Sequence, residues 1–353
     1  MVRIAAAFVC LVFALPAAAR ELPRLDDLAF QSWNVVEPGG RTTCSDGSPY
    51  RFYAKPGARD KLAVFFNGGG ACWSAETCNP QANAKRPLYY PSVAPPFNVP
   101  GDAGIFDDKR ADNPLRGWTI VVVPYCTGDV HVGARRITYA LGKRRFAIEH
   151  KGAVNAQAVL NWTFGHVPAP KTVLVAGSSA GAIGAAFHAG AVARRYRTSD
   201  VSLLADAAGA YRTPRLAEVY RGWGIYRVAP AWMRGSRDPL IFEAFISVND
   251  DAFPHMRQAQ YNYAGDAEQA AFLHLLGGAD VEASLRANLD ELHKAIPGFR
   301  SYTAAGTKHT ILGHNELYTI ATGGVAFRQW VADFVAGKTV RDADCKAEGC
   351  AGP

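Results

Sequence analysis

Residues Val173–Phe187 read VLVAGSSAGAIGAAF. An apolar run gives way at Gly177 to Gly-Ser-Ser-Ala-Gly, and a small-residue helical pattern then runs to Tyr196. The pentapeptide fits G-x-S-x-G with Ser179 at its centre. A sharp strand-to-helix turn strains the middle residue, and the glycines two positions away let the neighbouring strand and helix approach. The Ser179 hydroxyl is then exposed above a sheet, at the positive end of the following helix. Centring the motif on Ser178 forfeits both glycines. The competing reading is a tight turn whose small residues only permit close packing, but the strand before and helix after favour a nucleophile.

The flanking chain repeats this alternation. Leu62–Phe66 (LAVFF) predicts a strand running into Asn67-Gly68-Gly69-Gly70, and Trp118–Val123 (WTIVVV) predicts another, stopped by Pro124. Thr172–Ala176 (TVLVA), Val201–Ala205 (VSLLA), Phe242–Val248 (FEAFISV) and Arg300–Ala304 (RSYTA) continue the series. Val154–Trp162 and Ala182–Tyr196 predict helices. Continuous apolar strands alternating with helices point to an α/β-hydrolase-like chain: a mostly parallel sheet with helices on both faces. Pro80–Asn113 and Tyr211–Pro239, rich in Pro, Gly and aromatics, are expected to leave the sheet and build a cap or cleft.

A serine hydroxyl becomes a nucleophile when a histidine takes its proton and a carboxylate orients that histidine. In such folds both partners follow the serine, in the order acid then histidine, at the ends of later strands. The run FEAFISV leads into Asn249-Asp250-Asp251, and RSYTA leads into Ala305-Gly306-Thr307-Lys308-His309. Asp251 is the favoured acid and His309 the favoured base. Asp250 reads better as a turn or cap residue, and Asp206, ending VSLLA, as a rival acid or a brace for the loop before Gly209. His131, His188, His255 and His314 all have structural readings, with His314 the main rival. The amide of Ala180 and those of Gly69 and Gly70 are the expected oxyanion donors; a flexible turn is the plainer reading of the triple glycine.

The remaining features bound the setting. Met1–Ala19 combines an early Arg, a short apolar run and Ala17-Ala18-Ala19 before Arg20, the layout of a secretory signal. A single catalytic domain over residues 20–353 is expected to follow, secreted or periplasmic, with no membrane span after signal removal. Six of the seven cysteines lie beyond that segment, and an even count in an exported chain favours disulfides. Cys72 with Cys78 and Cys345 with Cys350 are near neighbours, leaving Cys44 with Cys126. No Cys-x-x-Cys spacing suggests a metal. The net charge of +7 comes in short groups such as Lys143-Arg144-Arg145. That is not the dense patch nucleic acid requires, and no nucleic acid partner is expected. The oligomeric state is left open.

Several stretches together resemble the pectin acetylesterase family. Asn67-Gly68-Gly69-Gly70-Ala71-Cys72-Trp73 is similar to its glycine-rich Trp/Cys motif. Pro124-Tyr125-Cys126-Thr127-Gly128-Asp129 is similar to its Tyr-Cys-x-Gly-Asp block. Thr43-Cys44-Ser45-Asp46-Gly47-Ser48-Pro49 resembles its N-terminal block, and Gly177–Gly181 its nucleophile block. Trp73 follows Cys72 here, whereas many members have the two reversed. Phe253-Pro254 stands where plant members keep an aromatic and Gln. The resemblance implies a serine esterase that needs no cofactor, with the nucleophile on Ser179, the acid on Asp251 and the base on His309. It implies the bond cleaved more closely than the substrate, since the family spans deacetylases of plant polysaccharides and a lipid deacylase; the favoured reading is removal of small acyl groups, acetyl above all, from a polysaccharide. The other readings are a longer-chain acyl esterase or thioesterase with the same residues, and a non-catalytic glycan-binding protein on an esterase scaffold.

Overall fold

The computed structural model describes residues 21–79, 87–93, 98–235 and 239–351; the expected leader over residues 1–19 lies outside them. Among the described residues nine strands form one sheet. In chain order they are β1 Asn34–Val36, β2 Phe52–Lys55, β3 Ala58–Phe66, β4 Trp118–Val123 and β5 Thr172–Ser178. They continue as β6 Asp200–Asp206, β7 Arg257–Tyr263, β8 Arg300–Ala304 and β9 Ala343–Asp344. In space the order is β1-β2-β4-β3-β5-β6-β7-β8-β9. The pairs from β4 through β9 are parallel, while β1 and β2 are antiparallel additions at one edge. Every residue of β4 is buried, so both faces of the sheet are covered there, as a parallel sheet requires.

The helices are α1 Gly152–His166, α2 Ala180–Arg195, α3 Arg215–Trp223, α4 Phe242–Ala252, α5 Ala267–Leu275, α6 Val281–Ala295 and α7 Phe327–Val335. A hairpin of Arg135–Leu141 with Arg144–His150 stands off the sheet. Among the described residues no helix is long and apolar enough to cross a membrane. The pairs Cys44–Cys126, Cys72–Cys78 and Cys345–Cys350 are disulfide-bonded, as the spacing suggested.

One expectation needs correction. The run FEAFISV is not a strand but most of helix α4, buried from Phe242 to Asn249 between α2 and α6. A helix covered on all sides has no polar stripe, and a short apolar run does not separate it from a buried strand. The strand at this point of the sheet is RQAQYNY, whose Gln258, Gln260 and Asn262 are buried. Of the expected excursions, residues 80–86, 94–97 and 236–238 lie outside the described residues. The remainder includes α3 and Leu88, Tyr90 and Asn98, all near Ser179.

Candidate active site

Ser179 joins β5 to α2 with φ 58° and ψ −126°, backbone that L-residues rarely occupy. The turn is cramped by its neighbours. A Cβ on Gly181 would overlap the Phe66 carbonyl oxygen at the end of β3, and one on Gly177 would overlap Gly181 itself. Close packing of β3, β5 and α2 therefore requires both glycines, and Ser179 stays raised at the C-terminal edge of the sheet. Ala180 is the first residue of α2, so its N–H is among those a helix leaves without an internal partner.

The histidine arrives from the other side. After β8 the chain runs beside the segment that follows β7. Ala264 N–H donates to the Ala304 carbonyl at 2.9 Å, Gly265 N–H to Gly306 at 3.0 Å and Ala267 N–H to Thr307 at 3.0 Å. This ladder brings Asp266 against His309, whose Nδ1 lies 2.7 Å from Asp266 Oδ2. Asp266 is fully buried, and the His309 side chain is 22% exposed. The carboxylate also accepts the Gln269 N–H and its side-chain amide, each at 2.9 Å, and so caps α5. Gln269 Oε1 in turn accepts the Ala210 N–H at 2.9 Å, tying Asp266 to the loop that carries Tyr211. Burial by itself depresses the His309 pKa. The Asp266 hydrogen bond and charge, with Asp206 and Glu268 adding, reverse that and hold it above 6.5. With Nδ1 bonded to Asp266, Nε2 is the nitrogen left to accept a proton.

Asp251 is therefore not the carboxylate on His309. It and Asp250 sit in the last turn of α4, six and seven residues before β7 begins. A crossover helix runs back against the parallel strands, so its end lies at their N-terminal edge. A seven-residue strand spans about 23 Å, which puts Asp250 and Asp251 at the edge of the sheet opposite Ser179. Asp206 does end its strand at the correct edge, but its carboxylate takes the Ser178 hydroxyl and the Ile311 and Leu312 N–H groups. A signal for Asp266 was present: Asp266 directly before AEQAAFLHL, with Gln269 three residues on, is a helix-capping pattern. It was masked because RQAQYNY does not read as a strand.

The other histidines divide plainly. His131 and His188 are buried around Phe66, and burial pushes their pKa values down to about 3 and about 4. Both rings bond to backbone carbonyls. His255 is exposed, and His314 is exposed on the rim of the cleft. Sequence reasoning missed Tyr211, which is buried and lines the same cavity as Ser179.

Two spaces open from Ser179. One is a broad cleft shared by Asn67, Gly68, Gly69, Gly70, Glu268, His309 and His314. At Gly70 φ is 76°, and a Cβ would overlap the Leu88 carbonyl oxygen, so no other residue fits this bend. The other is a narrow cavity lined by Ile183, Tyr211, Leu216, Val219, Trp223, Phe272 and other apolar groups.

A family model described as Pectinacetylesterase matches residues 33–215, just over half of the chain. The chain belongs to the pectinacetylesterase family. The matched span of this pectinacetylesterase-family protein includes Ser179 and the Gly68–Gly70 bend but stops short of Asp266 and His309, whose pairing rests on the geometry alone. Similar proteins include the Xenopus laevis palmitoleoyl-protein carboxylesterase notum1', 34% identical over 156 residues, which are 43% of this chain and 30% of that protein. The human palmitoleoyl-protein carboxylesterase NOTUM is 32% identical over 175 residues, 47% of this chain and 34% of that protein. The chain thus spans about a third of the length of these relatives. A Danio rerio protein named inactive palmitoleoyl-protein carboxylesterase notum1b is 36% identical over 117 residues, 32% of this chain and 76% of that protein.

Proposed function

We propose that this chain is an exported serine carboxylic ester hydrolase, secreted or periplasmic, with Ser179 as nucleophile, His309 as general base and acid, and Asp266 as the residue that orients His309. In the first half-reaction the Ser179 oxygen attacks the ester carbonyl while His309 Nε2 takes the hydroxyl proton. Amides of Ala180 and of Gly69 or Gly70 stabilise the oxyanion. Collapse breaks the C–O bond, and the departing alcohol takes the proton from His309. Water, deprotonated by the same nitrogen, then releases the acid and restores Ser179. The observation that carries this reading is the buried Asp266–His309 hydrogen bond beside a serine held in a strained turn. Similarity does not carry it, since one relative bears the name inactive.

Two substrates fit. The family name and the broad cleft support an acetylated polysaccharide, with the sugar in the cleft and the acetyl group at the mouth of the cavity. The apolar lining of the cavity favours a longer acyl chain, and relatives are named for palmitoleoyl-protein esters. Acid release from acetylated polysaccharides and from acetyl and octanoyl model esters, by wild type and Ser179→Ala, tests both. Equal release by the two proteins removes the mechanism; a higher kcat/KM on octanoyl than on acetyl esters selects the longer chain.

A further inference from the structure

Asp206, the last residue of β6, is fully buried and takes no part in the steps above. Its bonds run in two directions. Toward the nucleophile turn, its carbonyl accepts the Ser179 N–H at 2.7 Å and its Oδ2 accepts the Ser178 hydroxyl at 2.6 Å. Toward the histidine loop, Oδ2 accepts the Leu312 N–H at 3.0 Å, and the Ile311 N–H is shared between the two oxygens at 3.1 and 3.2 Å. One side chain thus holds the residue before the nucleophile and the residues two and three positions past His309. The chain leaves it through Ala207 at φ 65°, pinned by the Ala207 N–H to the Tyr261 carbonyl at 2.8 Å. Such a conformation persists only where the surroundings over-determine it.

The donors to this carboxylate are one hydroxyl and two amides, not a lysine or arginine. A buried charge held this way is expensive, and an asparagine would offer one oxygen where the three donors use both. We propose that Asp206 is a positioning residue: its carboxylate clamps the histidine loop to the nucleophile turn and so sets His309 over Ser179. This rests on the Ser179–His309 reading above. The titratable groups facing Asp206 are His309, Tyr261 and Tyr263, and those facing His309 are Asp266 and Glu268 as well as Asp206. Burial pushes the Asp206 carboxyl up to about 6, opposed by its Ser178, Leu312 and Ile311 donors. Ionised, it adds to the field that favours the protonated His309 ring.

The test compares wild type, Asp206→Asn, Ser178→Ala and Ser179→Ala by three readouts: kcat and KM on an octanoyl ester, titration of the His309 ring by NMR, and amide exchange at Ile311 and Leu312. In Asp206→Asn, kcat falls on the order of 10²-fold, as for a misplaced catalytic group, with KM nearly unchanged. The His309 ring titrates at lower pH, and the Ile311 and Leu312 amides exchange faster while those within β5 do not. Ser178→Ala moves the same quantities less and in the same direction, and decides the matter should Asp206→Asn fail to fold. Ser179→Ala loses turnover but keeps the Ile311 and Leu312 amides protected. Wild-type values for kcat, His309 titration and exchange in Asp206→Asn, or for titration and exchange in Ser178→Ala, overturn the clamp. A wild type that hydrolyses no ester, with the titration and exchange effects intact, leaves the clamp standing and removes the esterase reading instead.

Discussion

His309 Nδ1 lies 2.7 Å from Asp266 Oδ2, and the other oxygen of that carboxylate caps helix α5 through the Gln269 N–H. The residue that orients the proposed base is therefore itself held by the N-terminal end of a helix. Asp266→Asn is expected to lower kcat by about 10⁴-fold, the scale seen when the orienting acid of such a triad is neutralised. Asp251→Asn, at the far edge of the sheet, is expected to leave kcat/KM within about twofold of wild type and stability within about 0.5 kcal/mol. Steady-state kinetics on one ester separates the two.

Activity should fall on acidification. The base must be neutral to take the Ser179 proton, and Asp266 holds the His309 pKa above 6.5 against the opposing effect of burial. The acid limb of kcat/KM is therefore expected above pH 6.5, with activity lost as pH drops through it. A limb centred below that value contradicts the pairing.

Strain at Ser179 has a stability signature. Ser179 occupies φ 58° and ψ −126°, which glycine adopts freely. Ser179→Gly is expected to abolish turnover while raising stability by about 1 kcal/mol, read by denaturant unfolding. Gly181→Ala should do the opposite, destabilising by about 1–3 kcal/mol because its Cβ overlaps the Phe66 carbonyl oxygen.

The disulfides differ in reach. Cys44–Cys126 closes a loop of 82 residues and Cys345–Cys350 one of 5. From loop closure alone, replacing the first pair by alanine should cost about 4.5 kcal/mol and the second about 2 kcal/mol. Equal losses in urea unfolding contradict that ranking.

The central sheet was legible because β3, β4, β5 and β6 are apolar runs bounded by glycine, proline or a helix start. Ser179 was legible because its motif is wholly local, with both glycines within two residues. His309 could be located because RSYTA is a true strand. The carboxylate bonded to His309 was not legible, for two coupled reasons. Strand β7 carries Gln258, Gln260 and Asn262 inward, where bonds to α4, to α5 and to the loop before Tyr211 accommodate amides that no sequence pattern reveals. Helix α4 is buried along most of its length and so mimics the missing strand. Exchanging the two placed the expected acid at Asp251, at the opposite edge of the sheet from the carboxylate that bonds His309. The apolar cavity was legible only as an excursion, since Ile183, Val219 and Phe272 meet from three separate helices.

Covalent capture of the nucleophile is the most direct measurement. Wild-type protein is treated with a fluorophosphonate and digested, and the modified peptide and its rate of formation are read by mass spectrometry. One adduct is expected, on Ser179, forming far more slowly in His309→Ala and Asp266→Asn and at an undiminished rate in Asp251→Asn. Folded wild type that stays unmodified at Ser179, or a rate indifferent to His309 and Asp266, contradicts the Ser179–His309–Asp266 assignment.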